Sequence, residues 1–250
     1  MSLSRAGDRT GKRYRRCCIL LSGGMGTRLG SDIPKQYIEV GGRMVIAYTL
    51  EAISAWTSMD SLLIVADGQW QKMLYMLVDR VLPQERMGFL GLVPPGESRQ
   101  GSVFNALRMA KSYMADDAWV MIHDAVRPEV SEGLIGKCDE VLSAGGCDGV
   151  MPYLPVKDTT YLTSEDGEQI SANIDRDRLV AGQTPEFFDY WRYLAANESL
   201  SEEELLAVHG STEPAVMAGM KMALVRGEES NFKITTKEDL ERFRMIKERK

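Results

Sequence analysis

Cys17-Cys-Ile-Leu-Leu-Ser-Gly-Gly-Met-Gly-Thr-Arg-Leu-Gly30 carries a short apolar run straight into a glycine-rich loop. The run Cys17–Leu21 has no polar interruption and is too short for a helix, which is the pattern of a strand buried on both faces. Glycines beyond such a strand let the backbone adopt φ > 0 and bring its N–H groups close to a bound anion. Arg28, and Lys35 in the following Ser31-Asp-Ile-Pro-Lys-Gln-Tyr37, add fixed positive charge. The loop therefore suits phosphate, held near a helix N-terminus. Two familiar phosphate loops fail on spacing. No Gly-Lys-Ser/Thr closes this one, and Gly24, Gly26 and Gly30 do not give G-x-G-x-x-G. Taken alone, the loop leaves a tight turn as the alternative.

Outward from the loop the strand pattern repeats at Leu62–Ala66, Phe89–Val93, Trp119–Ile122 and Gly149–Pro152. Between these runs the apolar residues fall at helical spacing: Ile46, Leu50 and Ile53; Trp70, Leu74, Leu77 and Val81; Val103, Leu107, Ala110 and Met114; Leu134, Cys138 and Val141. Strand and helix alternate, which predicts a three-layer α/β/α fold of Rossmann-like type on a mainly parallel sheet. Right-handed crossovers put helices on both faces, and ligands collect outside the carboxyl ends of the strands. After Pro152 the alternation breaks. An extended arm at about 153–175, with a turn at Asp166-Gly167, leaves the sheet. A last strand, Met222–Val225, precedes a helix whose start is marked by Thr236 and, three residues on, Asp239. Residues 17–250 are expected to form one domain behind a basic, solvated tail, residues 1–16, that holds six Arg or Lys residues.

The 250 residues are 44% hydrophobic, ample for a buried core, and carry a net charge of −6. That balance argues against a surface built to hold nucleic acid. The run after the basic tail is too short for a signal-peptide core or a membrane span. Cys17, Cys18, Cys138 and Cys147 show no C-x-x-C spacing, and His123 and His209 lie far from any Cys pair, so zinc is not expected. Reduced, mostly buried thiols in a cytoplasmic protein fit best.

The string Gly23-Gly-Met-Gly-Thr-Arg-Leu-Gly30, continued by Pro34-Lys-Gln-Tyr37, resembles the signature of the nucleotidyltransferases that activate sugar and polyol phosphates. Gln36 and Tyr37 make it most similar to the cytidylyltransferase branch acting on methylerythritol phosphate or ribitol phosphate. Further landmarks recur in that family's order from Leu20 to about Leu240. Gly96-Glu-Ser-Arg-Gln-Gly-Ser102 is similar to its G-x-x-R-x-x-S, which implies nucleotide contacts from Arg99 and Ser102; a Ser at a helix start can also simply cap. Ile122-His-Asp-Ala-Val-Arg-Pro128 resembles H-D-A-x-R-P. It implies Asp124 beside the phosphates and Arg127 on the substrate phosphate, the alternative being that Asp124 and Arg127 pair with each other. His123 reads as a structural histidine rather than a base. Pro155-Val-Lys-Asp-Thr159 resembles the root of the family's arm, implying substrate contacts from Lys157 and Thr159. Asp175-Arg176 and Gln183-Thr-Pro185 match its D-R and Q-T-P, implying the same for Arg176 and Thr184. Asn231-Phe-Lys-Ile-Thr235 matches N-x-K-x-T and places Lys233 at the reaction centre.

The resemblance implies attack by a polyol-phosphate oxygen on the α-phosphorus of CTP, with release of pyrophosphate. Arg28, Lys35 and Lys233 are the catalytic charges. Ser22, Gly23, Gly24, Met25, Gly26 and Thr27 cradle the nucleotide. Mg²⁺ is held mainly by the CTP phosphates, with Asp124 the one possible protein ligand. A homodimer with exchanged arms is also implied. The chain departs from the family at Ser211-Thr-Glu-Pro-Ala215, where Thr212 replaces an acid and Pro214 is expected to interrupt a helix start. Two acceptors stay open. 2-C-methyl-D-erythritol 4-phosphate, an isoprenoid precursor, comes first by the breadth of that branch; Gln69-Trp70, Gly182-Gln-Thr-Pro185 and Leu224-Val-Arg-Gly227 look closer to enzymes acting on ribitol 5-phosphate or another pentitol phosphate. Two rivals are a non-catalytic nucleotide-binding module and a sugar-1-phosphate nucleotidyltransferase.

Overall fold

The structure, a computed structural model, describes residues 12–24, 33–83, 85 and 87–248. β1 (Tyr14–Leu21) runs into the glycine loop, followed by a small hairpin of β2 (Glu39–Val40) and β3 (Arg43–Met44) and by α1 (Val45–Ser54). Three strand–helix units come next: β4 (Ser61–Val65) with α2 (Gln71–Val81), β5 (Gly88–Val93) with α3 (Arg99–Ala110), and β6 (Met114–Asp124) with α4 (Glu132–Ala144). β7 (Gly149–Pro155) leads to an arm of β8 (Tyr161–Thr163) and β9 (Ile170–Asn173), and the chain returns through β10 (Val180–Gly182) and β11 (Glu186–Asp189). The last part holds α5 (Tyr190–Glu198), α6 (Glu202–Ala207), α7 (Thr212–Met217), β12 (Met222–Arg226) and α8 (Lys237–Glu248).

The main sheet has eight strands in the order β10-β7-β11-β6-β1-β4-β5, with β12 added on β7. β6, β1, β4 and β5 are parallel, as the strand–helix alternation requires. β11 runs antiparallel between β6 and β7 and joins two parallel blocks. Period-two alternation splits the strands between two cores. Cys18, Leu20, Leu62, Ile64 and Phe187 face one side, where they meet Leu50, Leu74 and Leu134 of α1, α2 and α4. Cys17, Ile19, Leu63, Val65 and Phe188 face the other, against Val103 and Leu107 of α3 and Tyr193 of α5. Each fully buried Leu or Ile contributes about 1.5–3 kcal/mol. Burial also pushes the Cys17 and Cys138 thiols up to about 12, so both act as small hydrophobes.

Four sequence expectations need correction. β1 begins at Tyr14 and not at Cys17: Tyr14 is buried and pairs with Met114, so residues 14–16 belong to the sheet and not to the basic tail expected over 1–16. Met114 opens β6 instead of closing α3, because α3 stops at Ala110 and a single 3-10 turn, Lys111–Tyr113, reverses the chain. β6 starts well before Trp119; Asp116 and Asp117 are exposed there and hide the strand from an apolar-run reading. Pro214 does not interrupt α7. It sits in the first turn, where a backbone N–H has no partner within the helix, and proline is tolerated. The arm forms, but it leaves the sheet later than the expected residue 153, since Tyr153–Pro155 still pair with β10; among the described residues β8 and β9 pair only with each other, and Gly167, at φ +76, closes the turn with its N–H on Ser164 O. Thr236 and Asp239 exchange hydrogen bonds across the start of α8.

Candidate active site

The carboxyl ends of β1, β4, β5 and β6 open onto a cleft of about 580 Å³. Gly23 and Gly24 follow β1, Asp67 follows β4, Pro95 and Gly96 follow β5, and Asp124 ends β6; Lys35, Arg99, Ser102 and Lys233 complete the walls. Seven residues assigned to the site by resemblance therefore line one space. Met25, Gly26, Thr27 and Arg28 lie outside the described residues.

The start of the glycine loop is clamped from within. Gln36 Nε2 donates to Ser22 O at 2.7 Å and to Gly24 O at 2.9 Å. The Tyr37 and Ser22 hydroxyls share a 2.8 Å hydrogen bond, and the Tyr37 ring stacks on Trp70 at 4.1 Å. The residues following Pro34-Lys35 thus brace the loop beside which Lys35 stands.

Across the cleft, Ser98 caps α3 by accepting from Gly101 N, so capping falls to Ser98 and not to Ser102. Ser102 Oγ accepts from Gly96 N at 2.9 Å and donates to Ser98 O at 3.0 Å, folding the Gly96 turn against the helix. A Cβ on Gly96 would lie 2.6 Å from the Gly101 carbonyl carbon, so only glycine fits there. The N-terminal turn of α3 faces the cleft, and its dipole favours an anion.

Asp124 is the electrostatic centre. Its Oδ1 accepts from Arg99 at 3.1 Å, while Oδ2 lies 2.9 Å from Lys233 Nζ and 3.7 Å from Arg127 Nε. Burial would push this carboxyl up, but the charges of Arg99, Lys233 and Arg127 overcome it and hold Asp124 far below the usual aspartate range. Arg127 does pair with Asp124, and it also donates to Asn231 O at 2.6 Å. His123 is fully buried, with Nε2 3.3 Å from Arg127 O. Burial lowers its pKa to about 4, so the ring is neutral near pH 7.

Other implied ligands lie elsewhere. Thr184 is buried behind Asp124, its hydroxyl accepting from the Asp124 N–H at 3.2 Å. Lys157 pairs with Glu229 at the root of the arm, and Arg176 donates to Lys157 O at 2.8 Å. Lys157, Thr159 and Arg176 are exposed and apart from the cleft lining.

Sequence reasoning gave no role to the residues that hold the Lys233 loop. Gln183 Nε2 donates to Glu228 O and Asn231 O, and Asn231 Nδ2 donates to Thr184 O. It also passed over Glu186, whose signal was a lone acid in the apolar run Pro185-Glu-Phe-Phe188. Thr212 donates to Glu186 Oε1 at 2.7 Å. Arg99, Arg127 and Lys233 thus share the carboxylates of Asp124 and Glu186.

A glycine loop, a helix N-terminus and this cluster, all at the carboxyl edge of a largely parallel sheet, make a site of the nucleotidyltransferase class. The fold agrees. It superposes on the crystal structure of 4-diphosphocytidyl-2C-methyl-D-erythritol synthase from Anaerococcus prevotii with a TM-score of 0.75, at 26% identity over 95% of this chain and 97% of that one. The enzyme of Francisella tularensis, at 24% identity over 92% of this chain and 99% of that one, shows the same fold with a TM-score of 0.74. Residues 17–249 match the 2-C-methyl-D-erythritol 4-phosphate cytidylyltransferase family, and the chain belongs to it. Relatives of that name from Thermotoga neapolitana and Dechloromonas aromatica are each 34% identical, over 91% and 93% of this chain and 95% and 97% of their own length. The bifunctional enzyme of Wolbachia pipientis is 32% identical over 94% of this chain, which spans 56% of that protein.

Among the described residues no His, Cys, Asp or Glu group gathers to hold a metal, and no helix is long and apolar enough to cross a membrane.

Proposed function

We propose that this chain transfers CMP from CTP to 2-C-methyl-D-erythritol 4-phosphate. A phosphate oxygen of the acceptor attacks the α-phosphorus, the bond to the β-phosphate oxygen breaks, and pyrophosphate leaves. The observation that carries this reading is the Asp124–Lys233 pair joined to Arg99, the first residue of α3, on the wall of one cleft. The acceptor is already an anion and needs no base; its approach to a second anion is the barrier. Lys35 and Lys233, with Arg28, offset the charge that builds on phosphorus and on the leaving pyrophosphate. Arg99 and Ser102 orient the nucleotide, while Arg127, Lys157, Thr159 and Arg176 orient the acceptor; Thr184, implied by the resemblance as a further acceptor ligand, instead braces Asp124 from behind.

The Asp124 oxygens already serve three cations, which fits a Mg²⁺ ion carried in on the triphosphate better than one caged by protein. Such an ion would neutralise phosphate charge. Four free cysteines fit a reducing cytoplasm.

The test is pyrophosphate release from CTP, ATP, GTP and UTP, each offered with methylerythritol phosphate, ribitol 5-phosphate and a sugar 1-phosphate. Release only with CTP and methylerythritol phosphate is expected. Preference for ribitol 5-phosphate would move the acceptor, and CTP binding without release from any pair would overturn the enzyme reading.

The arm is best explained by a second copy of the chain. Tyr161, Leu162 and Ile170 are 49%, 55% and 67% exposed on a hairpin that, among the described residues, pairs with no other strand. Exchange of arms would cover them and bring Lys157 and Thr159 toward the neighbouring cleft. Light scattering is expected to give twice the chain mass, and deletion of residues 161–173 to give a monomer. A monomeric intact protein would defeat this assembly.

A further inference from the structure

Glu186 opens β11 opposite Ile122 of β6 and is 6% exposed. Its carboxylate lies 3.9 Å from the Arg99 guanidinium, and its other oxygen accepts the Thr212 hydroxyl at 2.7 Å. Arg99 in turn donates to Asp124 Oδ1 and to Ser211 Oγ, so β6, β11 and the start of α7 together hold one guanidinium. Glu186 is not among the residues lining the cleft. Burying a carboxylate is unfavourable unless an opposite charge and a hydrogen bond offset it, and Glu186 has both.

Asp124 alone could not hold Arg99 firmly, because Lys233 and Arg127 draw on the same carboxylate. Any movement of Lys233 toward a phosphate would then shift Arg99 as well. A second counter-charge behind Arg99 removes that competition. Thr212 fixes the rotamer of that counter-charge from α7.

We propose that buried Glu186 and half-buried Thr212 form a positioning pair that sets the Arg99 guanidinium for CTP independently of Asp124. Glu186 is a positioning residue: it touches Arg99 and not the reacting atoms. The proposal rests on the cleft being a CTP site.

Loss of such a charged contact corresponds to about a tenfold change in an equilibrium. Glu186→Gln keeps the shape and removes the charge. CTP dissociation constants from calorimetry and the KM for CTP are expected to rise about tenfold, with kcat within about twofold. Thr212→Val is expected to give a smaller rise in the same direction. The double variant E186Q/T212D, which moves the carboxylate across the hydrogen bond, should recover most of the affinity. A merely structural role would lower the folded fraction and apparent kcat and leave KM unchanged, and that result would overturn the proposal. So would wild-type KM values in both single variants, or no recovery in the double variant. If Glu186→Gln fails to fold, Thr212→Val decides alone. No CTP binding by the unsubstituted protein would defeat the CTP reading and this proposal together, whereas normal binding that is insensitive to Glu186→Gln would defeat only the proposal.

Discussion

Lys233→Ala is expected to lower kcat for pyrophosphate release by about 10²-fold or more while the protein stays folded. The side chain is 35% exposed, its ammonium lies 2.9 Å from Asp124 Oδ2, and it borders the cleft. Its loop is firmly held. Ile234 is fully buried with its N–H on Val126 O, and Gln183 and Arg127 both donate to Asn231 O. Alanine therefore removes one charge without freeing the backbone that carries it. Asp124 keeps Arg99 and Arg127 as partners, so the change leaves no buried charge alone. The effect should fall on the chemical step, since a charge matched to developing negative charge counts more in the transition state than in the bound substrate. Single-turnover kinetics with a thermal melt as control checks this. Unchanged turnover in a folded variant would remove Lys233 from the reaction.

The second large effect concerns stability. Asp124→Asn leaves Arg99, Arg127 and Lys233 around a neutral amide, and removing one partner of a buried ion pair costs about 3–5 kcal/mol. The pH dependence gives this a sign. Asp124 is held below the ordinary aspartate value in the folded chain, so its contribution is fully present above about pH 4 and is lost as pH falls toward the folded value. Urea unfolding at pH 7 should show the full deficit of the variant, and unfolding at pH 3 a smaller one. Equal stabilities at pH 7 would mean that the three cations are solvated in the native protein and that Asp124 holds nothing together.

Much of the fold was legible because its inner strands are buried on both faces. Cys17–Leu21 and Leu62–Ala66 read as uninterrupted apolar runs for that reason, and their helical partners show the matching period. β11 escaped because four residues, one of them Glu186, carry too little pattern. β6 was shortened because Asp116 and Asp117 decorate its exposed start. The site was legible as a set of positions: Lys35, Arg99, Asp124 and Lys233 each follow or flank an element whose end meets the same cleft. Orientation was not. Nothing in Gln183-Thr-Pro185 distinguishes a hydroxyl that meets substrate from one that accepts the Asp124 N–H from behind. Nor did spacing reveal that one carboxylate would serve three cations, a product of converging strand ends rather than of local sequence.

The clamp made by Gln36 bears on how the cleft discriminates by sign. A glycine-rich turn exposes lone pairs as readily as amide hydrogens, and lone pairs repel phosphate. By taking the Ser22 and Gly24 carbonyls onto one carboxamide, Gln36 withdraws two repulsive groups from the loop before any ligand arrives. On the proposed function, selectivity for an anion would be set in part by concealment, through a side chain that need not touch the nucleotide.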